Sequence, residues 1–194
     1  ASLIFPYITR FVWGDIDLKW FPEANISSKR YRGFYTVAEY IHRQPMAGSN
    51  IAGITEWLHA DAKGKGLKSP LVIVDSLTLL ANQALKGLKK LPSYSPTSDN
   101  ELQQTQSDIE AFATIGLYYA SKIQAAYALA EFDKTSDPTF KQKSLSWLKK
   151  AEQYWGMYAD IYSQKNVPAL YNRVGYEEEN ALKAEEKKKK ENVE

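Results

Sequence analysis

Apolar residues recur at every third or fourth position along three long stretches in the second half of the chain. These stretches span residues 69–91, 100–133 and 138–164, and polar loops separate them. Such spacing places the apolar side chains on one face of an α helix. Ser69-Pro70 and Asp137-Pro138 are helix-start signals, because the first residue can cap the opening turn and proline needs no amide hydrogen there. The pattern therefore predicts three long amphipathic helices.

The middle stretch has the most persistent pattern of the three. At about 1.5 Å per residue, residues 100–133 predict a rod on the order of 50 Å long. Gly116 lies inside this helix, where a glycine costs about 1 kcal/mol relative to alanine. With Ala113 and Ala120 beside it, close approach of a neighbouring helix is the simplest compensation. The stripe comprises Leu102, Thr105, Ile109, Phe112, Gly116, Tyr119, Ile123, Ala126 and Ala130.

Short loops between long helices favour antiparallel neighbours, so the predicted fold class is mainly α, an antiparallel up-down helical bundle. Two short helices, predicted over residues 37–43 and 51–62, or the segment after Pro168 would supply its fourth side. The predicted bundle domain covers residues 34–176. The tail, residues 177–194, contains seven Glu and five Lys and few apolar residues, so it is predicted to be a frayed helix or disordered.

The first 33 residues follow a different pattern. They are rich in aromatic and β-branched residues and are interrupted by prolines and glycines, which predicts an extended, strand-like segment with loops. In a strand, Asp15, Asp17 and Lys19 would share one face, and Ile16, Leu18 and Trp20 would share the other. The segment is therefore the place where polar and aromatic side chains are brought together.

This cluster is the candidate binding site. Carboxylates accept hydrogen bonds from sugar hydroxyls, and an indole ring stacks on a sugar ring. The candidate substrate-binding residues are Asp15, Asp17, Lys19, Trp20 and Glu23. The same alternation is also typical of an edge strand with a solvated charged face, and the sequence leaves both interpretations open. No catalytic residue is assigned.

Composition removes several function classes. The chain has no Cys, which excludes disulfides, thiolate metal sites and cysteine nucleophiles. His42 and His59 are the two histidines and neither belongs to a metal-binding motif, so no metal or cofactor is predicted. A net charge of +2 gives no basis for a nucleic-acid partner. No run of 18 apolar residues occurs, so no membrane insertion is predicted.

Four sequence runs resemble the C-terminal helical region of bacterial glycoside-hydrolase-like proteins, in which a bundle follows a catalytic (β/α)₈ barrel. These runs are GDIDLKWFPE (14–23), GFYTVAEYI (33–41), SDIEA (107–111) and YYASKI (118–123). The resemblance implies that residues 1–33 are a remnant of the barrel and that the rest is an accessory domain, not catalytic alone. It also implies an upstream catalytic domain as partner, a polysaccharide or glycan as ligand, and a periplasmic or cell-surface location.

A second hypothesis needs no carbohydrate. In it the chain is an independent helical-bundle interaction module that binds a protein partner through the exposed face of its long helix. The first hypothesis differs in predicting an exposed apolar patch around the N-terminal segment and one end of the bundle, where the barrel would lie.

Overall fold

The computed structural model describes residues 1–12, 36–59, 65–91 and 100–164. Within these ranges the backbone forms six helices and no strand, apart from one isolated bridge between Ile51 and Lys68. The mainly α prediction is confirmed. The helices are α1 (Ile4–Phe11), α2 (Val37–Ile41), α3 (Ile54–His59), α4 (Leu71–Leu88), α5 (Asn100–Thr135) and α6 (Pro138–Ser163).

Helices α4 and α6 begin at the helix-start signals of the sequence, Ser69-Pro70 and Asp137-Pro138. The hydroxyl of Ser69 accepts a hydrogen bond from the amide of Leu71 at 3.2 Å. The carboxylate of Asp137 accepts one from the amide of Thr139 at 2.9 Å, and this bond is the main reason that the pKa of Asp137 is lowered. Both side chains satisfy amides that have no partner within the helix. Local chemistry therefore sets the starts of α4 and α6.

Helix α5 forms the centre of the described fold. It contacts α1, α2, α3 and α4. It also meets α6, because the ring of Tyr118 contacts that of Trp155 and the backbone carbonyl of Ala125 accepts a hydrogen bond from the Ser144 hydroxyl. Every residue from 113 to 123 is buried, so this part of α5 is covered all round rather than along one stripe. A helix enclosed in this way is a core helix.

Gly116, in the middle of α5, lies where α1 approaches α5 closely. A β-carbon added at Gly116 would lie 2.9 Å from the Cγ2 methyl of Ile4 on α1. The close approach of a neighbouring helix, predicted from the sequence, is therefore confirmed. Its source is α1, the segment that the sequence did not identify as helical.

The prediction of an extended segment over residues 1–33 is wrong for Ile4–Phe11, which is α1. Ile4, Ile8 and Phe11 are fully buried, and their spacing of four and three residues is helical. Pro6 suggested a break, but it lies in the first turn, where backbone amides need no partner within the helix. Residues 13–33, the rest of the predicted segment, lie outside the described residues.

The two short helices form within the predicted ranges but are shorter. Thr36 caps α2 through a capping box: its hydroxyl accepts from the amide of Glu39, and the Glu39 carboxylate accepts from the Thr36 amide at 2.7 Å. The hydroxyl of Thr55 on α3 donates to the carbonyl of Ile41 at 2.8 Å and ties the two helices together. The bridge at Ile51 occupies residues that the sequence assigned to the second helix.

The chain divides into two compact units, Ala1–Ile161 and Tyr162–Glu194. The first contains α1 together with the core of the other helices. Nearly all of the second lies outside the described residues, so the predicted charged tail stays a prediction. The predicted domain boundaries after residues 33 and 176 stay predictions as well.

Among the described residues, α4 alone has the length and composition that a membrane-crossing helix requires, with a mean hydropathy of 1.3. Core helices of water-soluble proteins meet the same criterion, and four residues of α4, Ile73, Val74, Leu77 and Ala81, are buried in the core. The composition of α4 therefore gives weak evidence about a membrane.

Helix α6 is held to α5 by a buried hydrogen bond. The hydroxyl of Ser144 donates to the carbonyl of Ala125 at 2.9 Å. We expect Ser144→Ala to lower the free energy of unfolding by about 1 kcal/mol, because one buried bond is lost. Urea unfolding measures this change, with Ser146→Ala at an exposed position of the same helix as the control. Equal effects at the two positions would contradict the assignment.

Candidate functional site

The five predicted substrate-binding residues, Asp15, Asp17, Lys19, Trp20 and Glu23, all lie outside the described residues. What the structure does describe is the pair of points where the chain enters and leaves this segment. The first point, Val12, is buried in the helical core, and the second, Thr36, is the capping residue of α2.

The described residues that flank the gap are Val12, at the end of α1, and Thr36, at the start of α2. Val12, the last described residue before the gap, is fully buried, and the ring centroid of Phe11 lies 6.5 Å from that of Tyr40. The carbonyl of Arg10 accepts a hydrogen bond from the amide of Met46 at 2.8 Å. On the other side of the gap, Thr36 caps the start of α2. The described residues that flank residues 13–35 are therefore a buried valine and a capped helix start.

A buried lysine lies directly beside Tyr40 of α2. Lys122 of α5 is 6% exposed, and its ammonium donates a hydrogen bond to the hydroxyl of Tyr118 at 2.8 Å. The same ammonium lies 5.2 Å from the ring centroids of both Tyr40 and Tyr118. The negative faces of aromatic rings attract a cation, which partly replaces the water that the ammonium has lost.

Burial dominates the electrostatics of this cluster. It lowers the pKa of Lys122 to about 8; Arg43 lowers that pKa further and Glu39 opposes the change. Burial also raises the pKa of Tyr118 and that of Tyr40 well above their ordinary value. At neutral pH the lysine is charged and both phenols are neutral. The uncharged phenols therefore stabilise the buried ammonium through the Tyr118 hydroxyl and through the faces of both rings.

Several described residues extend the aromatic surroundings of the lysine toward α6. The ring of Trp155 lies 5.4 Å from Tyr118 and 5.4 Å from Tyr158, centroid to centroid. Together these contacts join α2, α5 and α6 around one cation. We call Lys122, Tyr118, Tyr40, Glu39 and Arg43 the lysine cluster.

A lysine with a lowered pKa has the chemistry of a nucleophile or a proton carrier. At 6% exposure, however, the Lys122 ammonium is closed to substrates. The geometry instead places the lysine cluster at the contact between α2 and α5. No group of three or more His, Asp or Glu suited to a metal occurs in the described ranges. His42 and His59 lie at the ends of α2 and α3, as their sequence context indicated.

The sequence analysis missed Lys122, although a signal is present. Between residues 111 and 130 it is the one charged residue, and a tyrosine stands four positions before it. A lone charge within an otherwise apolar and small-residue helix that is covered on all sides must be buried or must interrupt the packing.

The comparisons with known proteins identify no relative: no protein-family model, no curated protein and no solved structure matches the chain. The described fold defines an all-α protein with a central buried helix. Its function is argued from the chain's own residues.

Proposed function

We propose that this chain is a helical accessory domain of a glycoside-hydrolase-like protein, not catalytic alone, whose helices present residues 13–35 to a glycan. The observation that carries the proposal is the packing of the described residues on either side of this segment. Val12 is buried in the core, the ring centroid of Phe11 lies 6.5 Å from that of Tyr40, and Thr36 caps α2. Rigid elements beside a binding site help to keep its side chains in place for a ligand.

The proposed architecture is an antiparallel up-down bundle. Along α5 and α6 the contacts pair Tyr118 with Trp155 and Ala125 with Ser144. Residue numbers rise on one helix as they fall on the other, which supports antiparallel packing of these two helices. The short connection between Thr135 and Pro138 leaves little alternative.

Exposed apolar surface near α1 supports a neighbouring domain on that side. Leu3 is 55% exposed, and Phe112 is exposed while its ring packs edge-on against Phe5, with the centroids 4.9 Å apart. A domain docked on this side would bury both side chains. The proposed occupant is the upstream (β/α)₈ catalytic barrel.

The candidate residues within 15–23 indicate the kind of glycan. Asp15, Asp17 and Glu23 carry three negative charges against one positive charge on Lys19, so this stretch would repel an acidic sugar, and the bases Lys29, Arg30 and Arg32 follow it in the chain. Carboxylates accept hydrogen bonds from hydroxyls, and Trp20 offers a stacking face. The proposed ligand of this segment is therefore a neutral polysaccharide.

Affinity gel electrophoresis of the full chain tests this proposal, with mannan, β-glucan and amylose as probes. We expect at least one probe to retard the chain and Trp20→Ala to abolish the retardation, because the stacking face is removed. Trp147→Ala, a matched loss of an indole on α6, should leave it unchanged. Absence of retardation by every neutral probe would contradict the carbohydrate assignment.

One observation favours the alternative, an independent protein interaction module. An open groove of about 470 Å³ runs along α4, lined by Leu79, Asp75, Asn82, Lys86 and, from α5, Gln124. Leu79 is 59% exposed there. The central part of α5 is enclosed, so α4 rather than the longest helix would offer the binding face. Under this alternative no glycan binds and no Trp variant changes the migration of the chain.

A further inference from the structure

Helix α6 carries a line of alternating aromatic and lysine side chains beside its buried face. Phe140, Lys143, Trp147, Lys150 and Tyr154 follow one another at spacings of three and four residues. They therefore form one line along the helix, in which aromatic and cationic side chains alternate. We call this line the α6 stripe.

The two lysines of the α6 stripe lie over its rings. The Lys143 ammonium is 5.0 Å from the ring centroid of Phe140, and the Lys150 ammonium is 4.1 Å from that of Trp147. Both lysines are exposed and the three aromatic residues are half-buried. The rings of Phe140 and Trp147 are thus half-buried, and each has a solvated ammonium over one face. At exposed sites such a contact is worth about 0.5–1 kcal/mol, so a ligand can displace it.

The charge of this part of α6 has one sign. Residues 138–151 contain four lysines and no acidic residue. The nearest described carboxylates along the chain are those of Asp137 and Glu152, one at each end of this stretch. The pKa of Asp137 is lowered mainly by its hydrogen bonds with Thr139 and in part by Lys143. Glu152 lies on a different face of the helix, two residues beyond Lys150. The stripe therefore offers an anionic ligand several cations in a row.

The spacing of the rings narrows the class of ligand. Successive aromatic residues of the stripe are seven positions apart, which is about 10 Å along the helix. That distance is comparable to the repeat of two sugar rings in an extended polysaccharide, and it exceeds the spacing of stacked nucleotide bases. With a net charge of only +2, the chain also lacks the broad basic surface typical of nucleic-acid binding.

We propose that the α6 stripe binds an acidic polysaccharide. Carboxylates of the sugar residues draw Lys143 and Lys150 away from the rings, and the freed faces of Phe140 and Trp147 stack on the sugars. A neutral glycan gives no compensation for moving the ammonium groups, so the stripe selects for charge. This inference deepens the proposed function, on which it rests for the carbohydrate class, but it concerns a different surface and a different ligand.

The test compares two forms of one polymer, polygalacturonate and its methyl ester, by calorimetry with the full chain. We expect binding of polygalacturonate and at least about tenfold weaker binding of the ester. Trp147→Ala and the double variant Lys143→Gln/Lys150→Gln should each lose about tenfold or more of the affinity. Lys89→Gln/Lys90→Gln, an equal change of charge at exposed positions after α4, is the matched control and should bind like the unchanged chain.

Three results would overturn the inference: equal binding of the ester, equal weakening by the control double variant, or tighter binding of an oligothymidylate than of polygalacturonate. Trp20→Ala separates this inference from the proposed function. Loss of neutral-glycan binding in Trp20→Ala without any polygalacturonate binding by the unchanged chain would leave the proposed function intact and refute the α6 stripe. Polygalacturonate binding that depends on Trp147, without any binding of a neutral glycan, would support the α6 stripe and refute the proposed binding of a neutral polysaccharide.

Discussion

Replacing Gly116 with leucine is expected to lower the free energy of unfolding by about 1–3 kcal/mol, the usual cost of overpacking a close-packed core. A β-carbon at this position would already lie 2.9 Å from the Cγ2 methyl of Ile4 and 3.4 Å from its Cδ1 methyl. Ile4 is β-branched and fully buried, so it has few rotamers with which to retreat. The added side chain must therefore push α1 away from α5.

Gly156 provides a matched control for this substitution. It lies inside α6, and nothing stands within 4 Å of the position where its β-carbon would be. Gly156→Leu should raise stability by roughly 0.5–1 kcal/mol, because leucine is the better helix former. The two variants make the same chemical change in two helices of opposite surroundings.

Urea unfolding followed by tryptophan fluorescence gives both free energies. Hydrogen exchange adds a local readout, since displacement of α1 should speed exchange of its amides in Gly116→Leu more than that of the amides of α6, which is not among the helices that α1 contacts. If Gly116→Leu instead gains stability as Gly156→Leu does, then α1 does not pack against α5 as described.

The contrast between α1 and the long helices shows what the sequence determines locally. Helices α4, α5 and α6 each carry a long periodic pattern with clear starts at Ser69 and Asp137, so local information was enough to predict them. In α1 only eight residues are helical, and their aromatic and β-branched composition favours a strand. Burial of Ile4 and Ile8 against α4 and α5 outweighs that preference, and no local pattern reveals those partners.

Burial around α6 was predicted with the correct period but a partly wrong face. The three-and-four spacing along residues 138–164 places Leu145 on the predicted apolar face together with Leu148, Ala151 and Trp155. Leu145 is 46% exposed, whereas Ser144, next to it, is buried. The reason is the hydrogen bond from Ser144 to Ala125, which lets a polar side chain occupy the closest contact between the helices. Hydrophobicity alone cannot predict a polar group whose partner is a backbone carbonyl on another helix.

The candidate site also combines features that are visible in the sequence with contacts that exist only in the folded chain. The carboxylates and indole of residues 15–23 could be recognised from their chemistry, but Lys122 acquires its meaning only from Tyr40 on α2. A lysine at that position of an isolated helix would be an ordinary solvated side chain. Its neighbours come from two segments about 80 residues apart, so the cluster is a property of the fold.

Replacing Lys122 with methionine is expected to stabilise the protein by about 1–3 kcal/mol at pH 7. The ammonium is buried at a cost, which appears as the lowering of its pKa from 10.5 to about 8. A fall of this size corresponds to about 3 kcal/mol, and loss of the hydrogen bond to Tyr118 offsets about 1 kcal/mol of it. Methionine fills a similar volume without charge, and such replacements of buried ions are often neutral or stabilising.

The advantage of Lys122→Met should shrink as the pH rises. In the folded protein Lys122 releases its proton near pH 8, whereas the unfolded chain holds that proton up to about pH 10.5. The unfolded state of the unchanged protein therefore binds more protons between these values, and its stability rises with pH there. Above pH 10 the raised pKa values of Tyr40 and Tyr118 oppose this trend, since the unfolded phenols ionise first. The informative window is pH 7 to 10.

Urea unfolding of both proteins across this window measures the difference directly, and subtraction cancels every group that titrates alike in the two. The difference should fall by about 2 kcal/mol from pH 7 to pH 10. Lys149→Met, at an exposed position of α6, should show no such slope. A constant difference would mean that Lys122 keeps its proton throughout, and a destabilised variant at pH 7 would mean that Tyr40, Tyr118 and Glu39 more than compensate its burial. In the first case attraction from the neighbours would balance the cost of burying Lys122, and in the second the lysine cluster would hold α2 to α5 by net attraction rather than by packing around a tolerated charge.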